Sequence, residues 1–342
     1  MPFGRLLAEP ARLPTTHLYF VNAMAAQLGR WWRRAPIRSL GANCFVHGDA
    51  MVLIRRDKPR IIREALHWPG RLAYLIDDDV AAGMNSPYLP QDYRDRFARF
   101  EHDFHRPLLE RADLVLTSSR ALAQELRDHP AHGARRVRAE IRRIDPFWPS
   151  APADQAHYRA LAGGAPLRIV HLGSGSHQAA LEAIAPQVAA LLDRHPHAQF
   201  TYFAARPVDA MLEAHPRARR VETKTWPEYR RWLSRHRFHL ALYPLMPDRF
   251  DRARSINKLI EHALVGAVGV YPEDWAPTAM IAGNAILAPS DPFAWGEALE
   301  DAVARQGALA EMAAGAATQL AARDYAGSQR RVWHEFLGLE AA

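Results

Sequence analysis

Cysteine is almost absent from this chain of 342 residues, which contains only Cys44. One cysteine excludes an intramolecular disulfide and a cysteine-rich metal site, and it is typical of a reducing compartment. The chain also lacks a run of about 18 apolar residues, so no segment is predicted to span a membrane. The N-terminal residues lack the apolar core of a signal peptide. We therefore expect a cytoplasmic protein.

Lysine is scarce and arginine abundant, and the formal net charge is +7. Excess positive charge suits a polyanionic partner such as nucleotide phosphates or a phospholipid surface. The basic residues are scattered among acidic ones without a recognised nucleic-acid-binding module, so no nucleic-acid partner is expected. The run Trp-Trp-Arg-Arg at 31–34 suits peripheral contact with the inner membrane face. A buried tryptophan pair flanked by solvated arginines explains the run equally well.

The length favours two domains of about 150 residues each. The stretch 145–154 contains three prolines and is typical of a linker. Apolar runs alternate with helical patterns, which predicts parallel sheets with right-handed crossovers. The predicted fold is therefore α/β, with two doubly wound, Rossmann-like domains at 1–150 and 151–325. A terminal helix at 326–342 is expected to pack back towards the first domain.

The element pattern is clearest in the second half. Strands are predicted there at 167–172, 199–203, 239–243, 267–271 and 285–288. Helices are predicted there at 178–194, 226–235, 255–264 and 292–305. In the first half, strands are predicted at 72–76, 113–117 and 137–144, with an amphipathic helix at 91–111.

The segment 250–266 carries the strongest chemical signal. Ser255 can cap a helix, and Arg254, Lys258 and Glu261 are spaced to share one of its faces. A helix N-terminus with two added cations can hold a diphosphate, and Glu261 can accept hydrogen bonds from ribose hydroxyls. The alternative is a surface helix with a Lys258–Glu261 ion pair.

Two loops after predicted strands are further candidates. Small residues at 173–177 allow a phosphate or sugar to approach the backbone, although an ordinary tight turn explains them too. The acidic run 77–79 can supply a base or orient an acceptor hydroxyl, with helix capping as the alternative. Trp226 and Tyr229 begin a helix and suit either stacking on a ligand or packing on the sheet.

The segment at 239–277, HLALYPLMPDRFDRARSINKLIEHALVGAVGVYPEDWAP, resembles the donor-binding region of retaining bacterial glycosyltransferases of the GT-B fold. The segments at 111–127, 167–205 and 288–303 resemble other parts of that family. The resemblance covers residues 110–340 well and residues 1–70 poorly. It implies a two-domain fold in which the donor lies against the second domain and the acceptor in the first, with a cleft that closes between them.

Carried over residue by residue, Glu261 matches the ribose-binding second glutamate of the family's paired-glutamate motif. The first glutamate would stand where this chain has Ala253, and Asp251 lies close enough to substitute. The family's phosphate-clamp arginine and lysine are replaced by the small-residue loop at 173–177. Our hypothesis is that Arg254 and Lys258 supply the missing positive charge.

These patterns predict a glycosyltransferase that moves a sugar from a nucleoside-diphosphate sugar to a saccharide or lipid-linked acceptor, in bacterial surface-glycan or polysaccharide synthesis. The alternatives are a sugar-nucleotide epimerase of the same fold and a non-catalytic binding subunit. No metal and no cofactor beyond the donor substrate is expected. The predicted catalytic residues are Asp77, Asp78 and Asp251. The predicted donor-binding residues are Gly173, Ser174, Gly175, His177, Arg254, Ser255, Asn257, Lys258 and Glu261.

Overall fold

The computed structural model of the protein describes residues 12–28, 36–130, 139–173 and 175–340. The tryptophan–arginine run at 31–34 and Ser174 lie outside these ranges. By its contacts the described chain divides into two units. The first contains the residues up to Pro149, the short segment Ala253–Ser255 and the residues from Asp324 onward, and the second contains the remainder.

Each unit is built on a six-stranded sheet. The strands of the first unit are β1 (Arg38–Ser39), β2 (Cys44–His47), β3 (Ala50–Ile54), β4 (Arg71–Ile76), β5 (Leu114–Thr117) and β6 (Glu140–Arg143). The strands of the second unit are β7 (Leu167–His171), β8 (Ala198–Phe203), β9 (Ala218–Val221), β10 (Leu240–Leu242), β11 (Val268–Pro272) and β12 (Ile286–Ala288).

Helices connect most of these strands. Up to Pro149 they are α1 (Pro14–Thr16), α2 (Pro59–Leu66), α3 (Val80–Asn85), α4 (Gln91–Phe100), α5 (Arg106–Arg111) and α6 (Arg120–Asp128). Beyond it they are α7 (Ala156–Ala162), α8 (Gln178–Arg194), α9 (Ala210–Ala214), α10 (Trp226–Arg235), α11 (Arg249–Arg252), α12 (Asn257–Leu264), α13 (Gly296–Ala304), α14 (Leu309–Ala321) and α15 (Tyr325–Leu337). No described helix combines the length and the apolar character needed to cross a bilayer.

The first sheet has the order β1-β2-β3-β4-β5-β6 and is mixed, so the expectation of a purely parallel sheet was wrong for this unit. Strands β3 to β6 pair in parallel, whereas β2 pairs antiparallel with both β1 and β3. Only Gly48 and Asp49 separate β2 from β3, and Gly48 has a φ of 55°. Two residues can close a hairpin but cannot make a crossover, which requires a dozen or more.

The predicted helix at 91–111 forms as one continuous helical stretch. Between α4 and α5, residues Glu101–His105 adopt a π-helical turn. The apolar side chains of this stretch pack against a core that includes Tyr74, Leu108 and Leu122. The 3.6-residue spacing of its aromatic residues therefore predicted the face that packs, partly buried, against this core, although it did not predict the π turn.

The C-terminal helix α15 packs within the first unit. Trp333 is fully buried, and its indole N–H donates to the carbonyl of Tyr19 at 2.7 Å. Gln329 donates to the carbonyls of Leu18 and Asp145 at 2.8 and 2.6 Å. These bonds satisfy backbone acceptors that would otherwise be costly to bury.

The second sheet is wholly parallel, in the order β12-β11-β10-β7-β8-β9. Its core contains the buried faces of α8 and α13, including Leu181, Leu192 and Leu299. With both faces covered by helices, this unit is a doubly wound α/β fold. The fold class of two Rossmann-like units is thereby confirmed.

Candidate functional site

The second sheet has a topological switch point between β7 and β10. These two strands are neighbours, yet the chain continues from β7 to β8 on one side and from β10 to β11 on the other. Open α/β sheets bind ligands in the crevice outside the carboxyl ends of strands at such a point. The small-residue loop at 173–177 follows β7, and the segment leading to α12 follows β10. The topology therefore brings these two predicted donor segments to one crevice.

The helices α8 and α12 both begin beside this crevice. Their N-cap residues, His177 and Ile256, make no side-chain capping bond in the described part of the chain. By contrast, Thr225 and Glu228 form a reciprocal capping box on α10. The first backbone N–H groups of a helix need a partner and carry partial positive charge. Two such helix ends at a switch point suit an anionic ligand.

Ring packing joins the loops that follow β7 and β10. His177 is buried and packs on Tyr243, with 5.5 Å between the ring centroids. Tyr243 in turn lies edge-on to Trp275 at 5.0 Å. Gly173 and Gly175 lie in the same loop as His177, at the start of the helical turn Gly175–His177. A rigid aromatic base therefore supports one side of the crevice.

Glu261, on α12, is buried and forms the centre of a polar network. Its Oε2 accepts a hydrogen bond from the hydroxyl of Tyr229 at 3.0 Å and an ion-paired bond from Lys258. Its Oε1 accepts from Asn257 at 2.7 Å. Glu261 is only 3% exposed, so this is an interior ion pair rather than the surface pair considered as an alternative. The network fixes a carboxylate one turn into the helix beside the crevice.

Tyr229 was left as either a stacking or a packing residue by its sequence context. The structure shows that it also binds Glu261, and burial and this carboxylate raise the pKa of its phenol well above the usual range. The phenol therefore keeps its proton and donates a hydrogen bond to Glu261. Only the fold could reveal this pair, because 32 positions separate the two residues.

His171 and His262 were missed entirely in the sequence. His171 ends β7, is 1% exposed, and its ring nitrogens have no hydrogen-bond partner among the described residues. Burial, reinforced by the charge of Lys258, lowers the pKa of His171 to about 3. The same causes lower the pKa of His262, whose Nδ1 lies 2.7 Å from the hydroxyl of Tyr271. Both imidazoles are therefore neutral at physiological pH.

Gly173 is required by the position of His171. A Cβ atom on Gly173 would lie 2.3 Å from Cε1 of the His171 ring, well inside van der Waals contact. The glycine in this loop is thus explained by a close approach of the buried imidazole. The close approach of His171 is compatible with the ligand contact predicted for this loop, because both the imidazole and a ligand need the space that a side chain would fill.

Arg254 and Ser255 do not join α12, so the prediction that Ser255 caps this helix was wrong. The helix begins at Asn257, and the hydroxyl of Ser255 is hydrogen-bonded to Tyr19 instead. Arg254 consequently cannot share a helical face with Lys258. Both Arg254 and Ser255 belong by their contacts to the first unit.

Asp251 serves the loop that follows β10. It is 4% exposed, its Oδ2 accepts from the backbone N–H of Met246 at 2.9 Å, and its own N–H donates to Asp248 at 2.9 Å. These bonds hold α11 against the preceding loop. Its assignment as a catalytic carboxylate remains a prediction.

The acidic run in the first unit lies at the carboxyl end of β4. Asp79 caps α3 by accepting from the backbone N–H of Ala82 at 2.9 Å. Asp77 accepts from Thr15 at 2.6 Å and lies 3.3 Å from Nε of Arg55. The run therefore divides into one helix cap and a partly buried carboxylate held by a hydroxyl and a guanidinium.

Asp78 is paired with two arginines. It forms an ion pair with Arg55, and its other oxygen lies 3.8 Å from Nη1 of Arg254. Arg55 has a φ of 54°, a left-handed conformation that is uncommon for a residue with a side chain and that is enriched at functional sites. Burial raises the pKa of Asp77, helped by the charge of Asp78 and opposed by that of Arg55. A carboxyl with a raised pKa can exchange a proton more readily.

A separate polar cluster in the first unit holds three side chains with metal-ligating atoms. Glu101, His105 and His129 have such atoms within 4.8 Å of one another. His129 lies 2.8 Å from one oxygen of Glu101, and Nδ1 of His105 lies 2.8 Å from the hydroxyl of Tyr74. The cluster connects the π-helical turn to the end of α6.

No protein-family model and no curated protein matches this chain. Solved structures do match it, among them glycosyltransferases of the GT-B class, and this similarity shows that the chain has the GT-B fold.

One matching structure is HepE from Anabaena in complex with UDP and glucose, at 13% identity and a TM-score of 0.57, covering 84% of this chain and 77% of that one. A trehalose-6-phosphate synthase from Burkholderia multivorans matches at 12% identity with a TM-score of 0.54, covering 85% and 70%. TarM matches at 10% identity with a TM-score of 0.58, covering 84% of this chain and 54% of TarM. The chain thus aligns with about half the length of TarM.

Proposed function

We propose that the protein is a glycosyltransferase that moves a hexosyl or related sugar from a nucleoside-diphosphate sugar to an acceptor hydroxyl. The observation that carries this proposal is the β7/β10 switch point. It combines two helix N-termini without side-chain caps and a buried carboxylate held by three donors. The helix ends suit the diphosphate, and Glu261 suits the ribose. Structures of HepE with UDP and glucose, and of the pneumococcal O-GlcNAc transferase GtfA with UDP and GlcNAc, support a donor of this class.

In this proposal the second unit binds the donor. Gly173, Gly175 and His177 approach the diphosphate through the loop at α8, together with Ser174. Lys258 adds positive charge, and Asn257 and Lys258 orient Glu261 towards the ribose hydroxyls. Stabilising the departing diphosphate is the main catalytic task, because negative charge develops there in the transition state. Retention at the anomeric carbon is part of the proposal.

The acidic cluster of the first unit receives the acceptor. Asp77 is our candidate for the group that accepts a proton from the attacking hydroxyl, because its pKa is raised and it lies at the carboxyl end of a parallel strand. Asp78 is held by Arg55 and Arg254 and positions the guanidinium that faces Asp77. A saccharide or lipid-linked precursor of a surface glycan is the proposed acceptor.

Donor binding can be tested first, with nucleoside diphosphates and their sugars in a thermal-shift screen. A ligand found there, with UDP as the first probe, is then titrated calorimetrically against wild type and Glu261→Gln. We expect the Glu261→Gln protein to bind at least about tenfold more weakly, because a neutral amide is a poorer acceptor. The control Glu64→Gln alters an exposed helical carboxylate and should leave affinity unchanged. Equal affinity in all three proteins would exclude the ribose role.

Catalysis needs a separate readout. With donor and an acceptor pool, Asp77→Asn should lose turnover while retaining the donor affinity of wild type. Incubation of the donor alone distinguishes an epimerase, which would convert the sugar, from a transferase, which would hydrolyse it slowly at most. Full turnover by Asp77→Asn would remove this residue from the mechanism.

One observation favours a second candidate, a binding subunit without catalysis. Ala253 stands where the resemblance implies a glutamate, and it is buried at 3% exposure in the core of the first unit. Asp251, the proposed substitute, is engaged with the backbone of Met246. Tight donor binding with no turnover on any acceptor would support this candidate.

A further inference from the structure

A cavity of about 490 Å³ opens at the amino-terminal edge of the second sheet. Its walls come from the first residues of β7, β8 and β9 and from the segment that precedes β10. The switch-point crevice lies at the opposite, carboxyl-terminal edge of the same sheet, so the two sites are distinct. The volume is within the range of cavities that hold small ligands.

The lining is basic. Among the residues that the structure describes, it includes two histidines and five arginines but no aspartate or glutamate. The arginines are Arg168, Arg217, Arg219, Arg235 and Arg237. None of the five forms an ion pair with a residue in the described ranges, although many other arginines of the chain do.

One arginine of the cavity lining has a buried donor without a partner. Arg217 donates through Nη2 to the carbonyl of Leu192, but its buried Nε has no partner among the described residues. Buried donors of this kind are uncommon and call for a ligand or water. Arg237 points one nitrogen at the carbonyls of Ser234 and His236, which positions its guanidinium at the cavity wall.

The positive charge of the cavity lowers the pKa of histidines beside it. Burial lowers the pKa of His157, and the charges of Arg168 and Arg237 lower it further. Burial lowers the pKa of His239 to about 4, with His157 and Arg168 adding to the effect. Nearby cations disfavour protonation of an imidazole when no anion offsets them.

We infer that this cavity is a second ligand site, which binds a phosphate-bearing anion. Five arginines with no acid among the described lining residues give the cavity the charge that such a ligand requires. One guanidinium group can bind two phosphate oxygens through parallel N–H bonds. The anion can be the headgroup of an acidic phospholipid or a soluble phosphate. The inference does not depend on the proposed transferase activity.

The test uses a charge-reversed variant, Arg219→Glu with Arg235→Glu, because both side chains are exposed and the fold should tolerate their replacement. The control is Arg120→Glu with Arg323→Glu, which makes the same change in net charge at exposed positions outside the cavity. Thermal melting verifies that both variants are folded. Arg168→Gln, inside the cavity, supplies an independent second variant.

Two arms distinguish the sources of the anion. Inorganic phosphate is followed by the broadening of its phosphorus NMR signal, and lipid binding by co-sedimentation with phosphatidylcholine vesicles with and without phosphatidylglycerol. We expect wild type and control to bind in at least one arm and the cavity variants to bind about tenfold more weakly or worse. Binding should also weaken as NaCl rises from about 0.1 M to about 1 M, because screening shortens the Debye length from ~10 Å to ~3 Å.

The outcomes separate clearly. Loss confined to the phosphate arm indicates a soluble anion, and loss confined to the phosphatidylglycerol vesicles indicates a lipid headgroup. Wild-type binding in neither arm, or equal losses in the cavity variants and the control, would overturn the inference.

Discussion

Replacing Lys258 by methionine tests whether the ion pair in the switch-point crevice is an interior pair. The side chains of Lys258 and Glu261 are only 12% and 4% exposed. Methionine keeps most of the apolar stem but leaves the carboxylate with Tyr229 and Asn257 as its donors. Removing one partner of a buried pair typically costs about 3 to 5 kcal/mol. Because two donors remain, we expect a loss near ~3 kcal/mol.

The assay is urea unfolding of Lys258→Met, Glu261→Gln and the double variant at one pH. In the double variant neither member of the pair carries a charge, and the glutamine oxygen can still accept from Tyr229. The double variant should therefore be more stable than the sum of the single losses predicts, by about 1.5 kcal/mol or more. The matched control is the cycle Arg60→Met and Glu64→Gln, whose side chains are 82% and 41% exposed. Its coupling should be only about 0.5 kcal/mol.

Additive losses at the buried pair, within about 0.5 kcal/mol, would refute this reasoning, because they would show that the two charges do not depend on each other. A coupling equal to that of the exposed control would refute it too. In either case the ion pair would not be an interior pair in solution, and it would no longer support the proposal that Glu261 binds the ribose.

Three further changes are predicted from contacts in the structure. His171→Leu should resist acid better than wild type. The pKa of His171 is about 3 in the folded protein and about 6.5 in the unfolded chain, so the unfolded chain binds more protons between these two pH values. Between pH 7.5 and pH 5 the free energy of unfolding of wild type should therefore fall by about 2 kcal/mol more than that of the variant. Urea unfolding at pH 7.5 and 5 measures the difference, and equal losses would contradict it. Gly173→Ala should cost about 1 to 3 kcal/mol, because the new methyl group meets the His171 ring; an unchanged melting temperature would contradict this. Ser119→Ala should lower the free energy of unfolding by a similar amount, because Ser119 caps α6 and donates to the carbonyl of Ala253 at 2.7 Å. The control Ser234→Ala, on an exposed helix end, should lower it by less.

The regular elements of the second unit were predictable because local sequence decides them. The helices α8 and α10 have the bounds that their apolar spacing predicted, 178–194 and 226–235. The strands were found within one or two residues because short apolar runs between helices are typical of a buried parallel sheet. The strand β9 was missed, since it lies at the sheet edge and its two central residues, Arg219 and Arg220, are consecutive exposed arginines.

The first unit was less predictable. The hairpin of β2 and β3 lies in the region where the family resemblance is poor, and its connection is only two residues long. The start of α12 was misplaced because Ser255 has the right side chain for a cap but is bound to Tyr19, more than 200 positions away. A local capping preference does not decide where a helix begins when a tertiary hydrogen bond engages the same side chain.

The sequence by itself determined that this chain forms two α/β units, because hydrophobic periodicity is a property of neighbouring residues and survives without knowledge of partners. It also determined that the segment around Glu261 leads into a helix between two strands. Only the tertiary structure decided which charged side chains near Glu261 pair with one another. Arg254 lies outside the helix and faces Asp78, whereas Tyr229, Asn257 and Lys258 all bind Glu261. Five arginines from distant positions line one cavity, and no acid lines it among the described residues. Burial and charge compensation depend on contacts between residues far apart in the chain, and these exist only once the sheets have assembled.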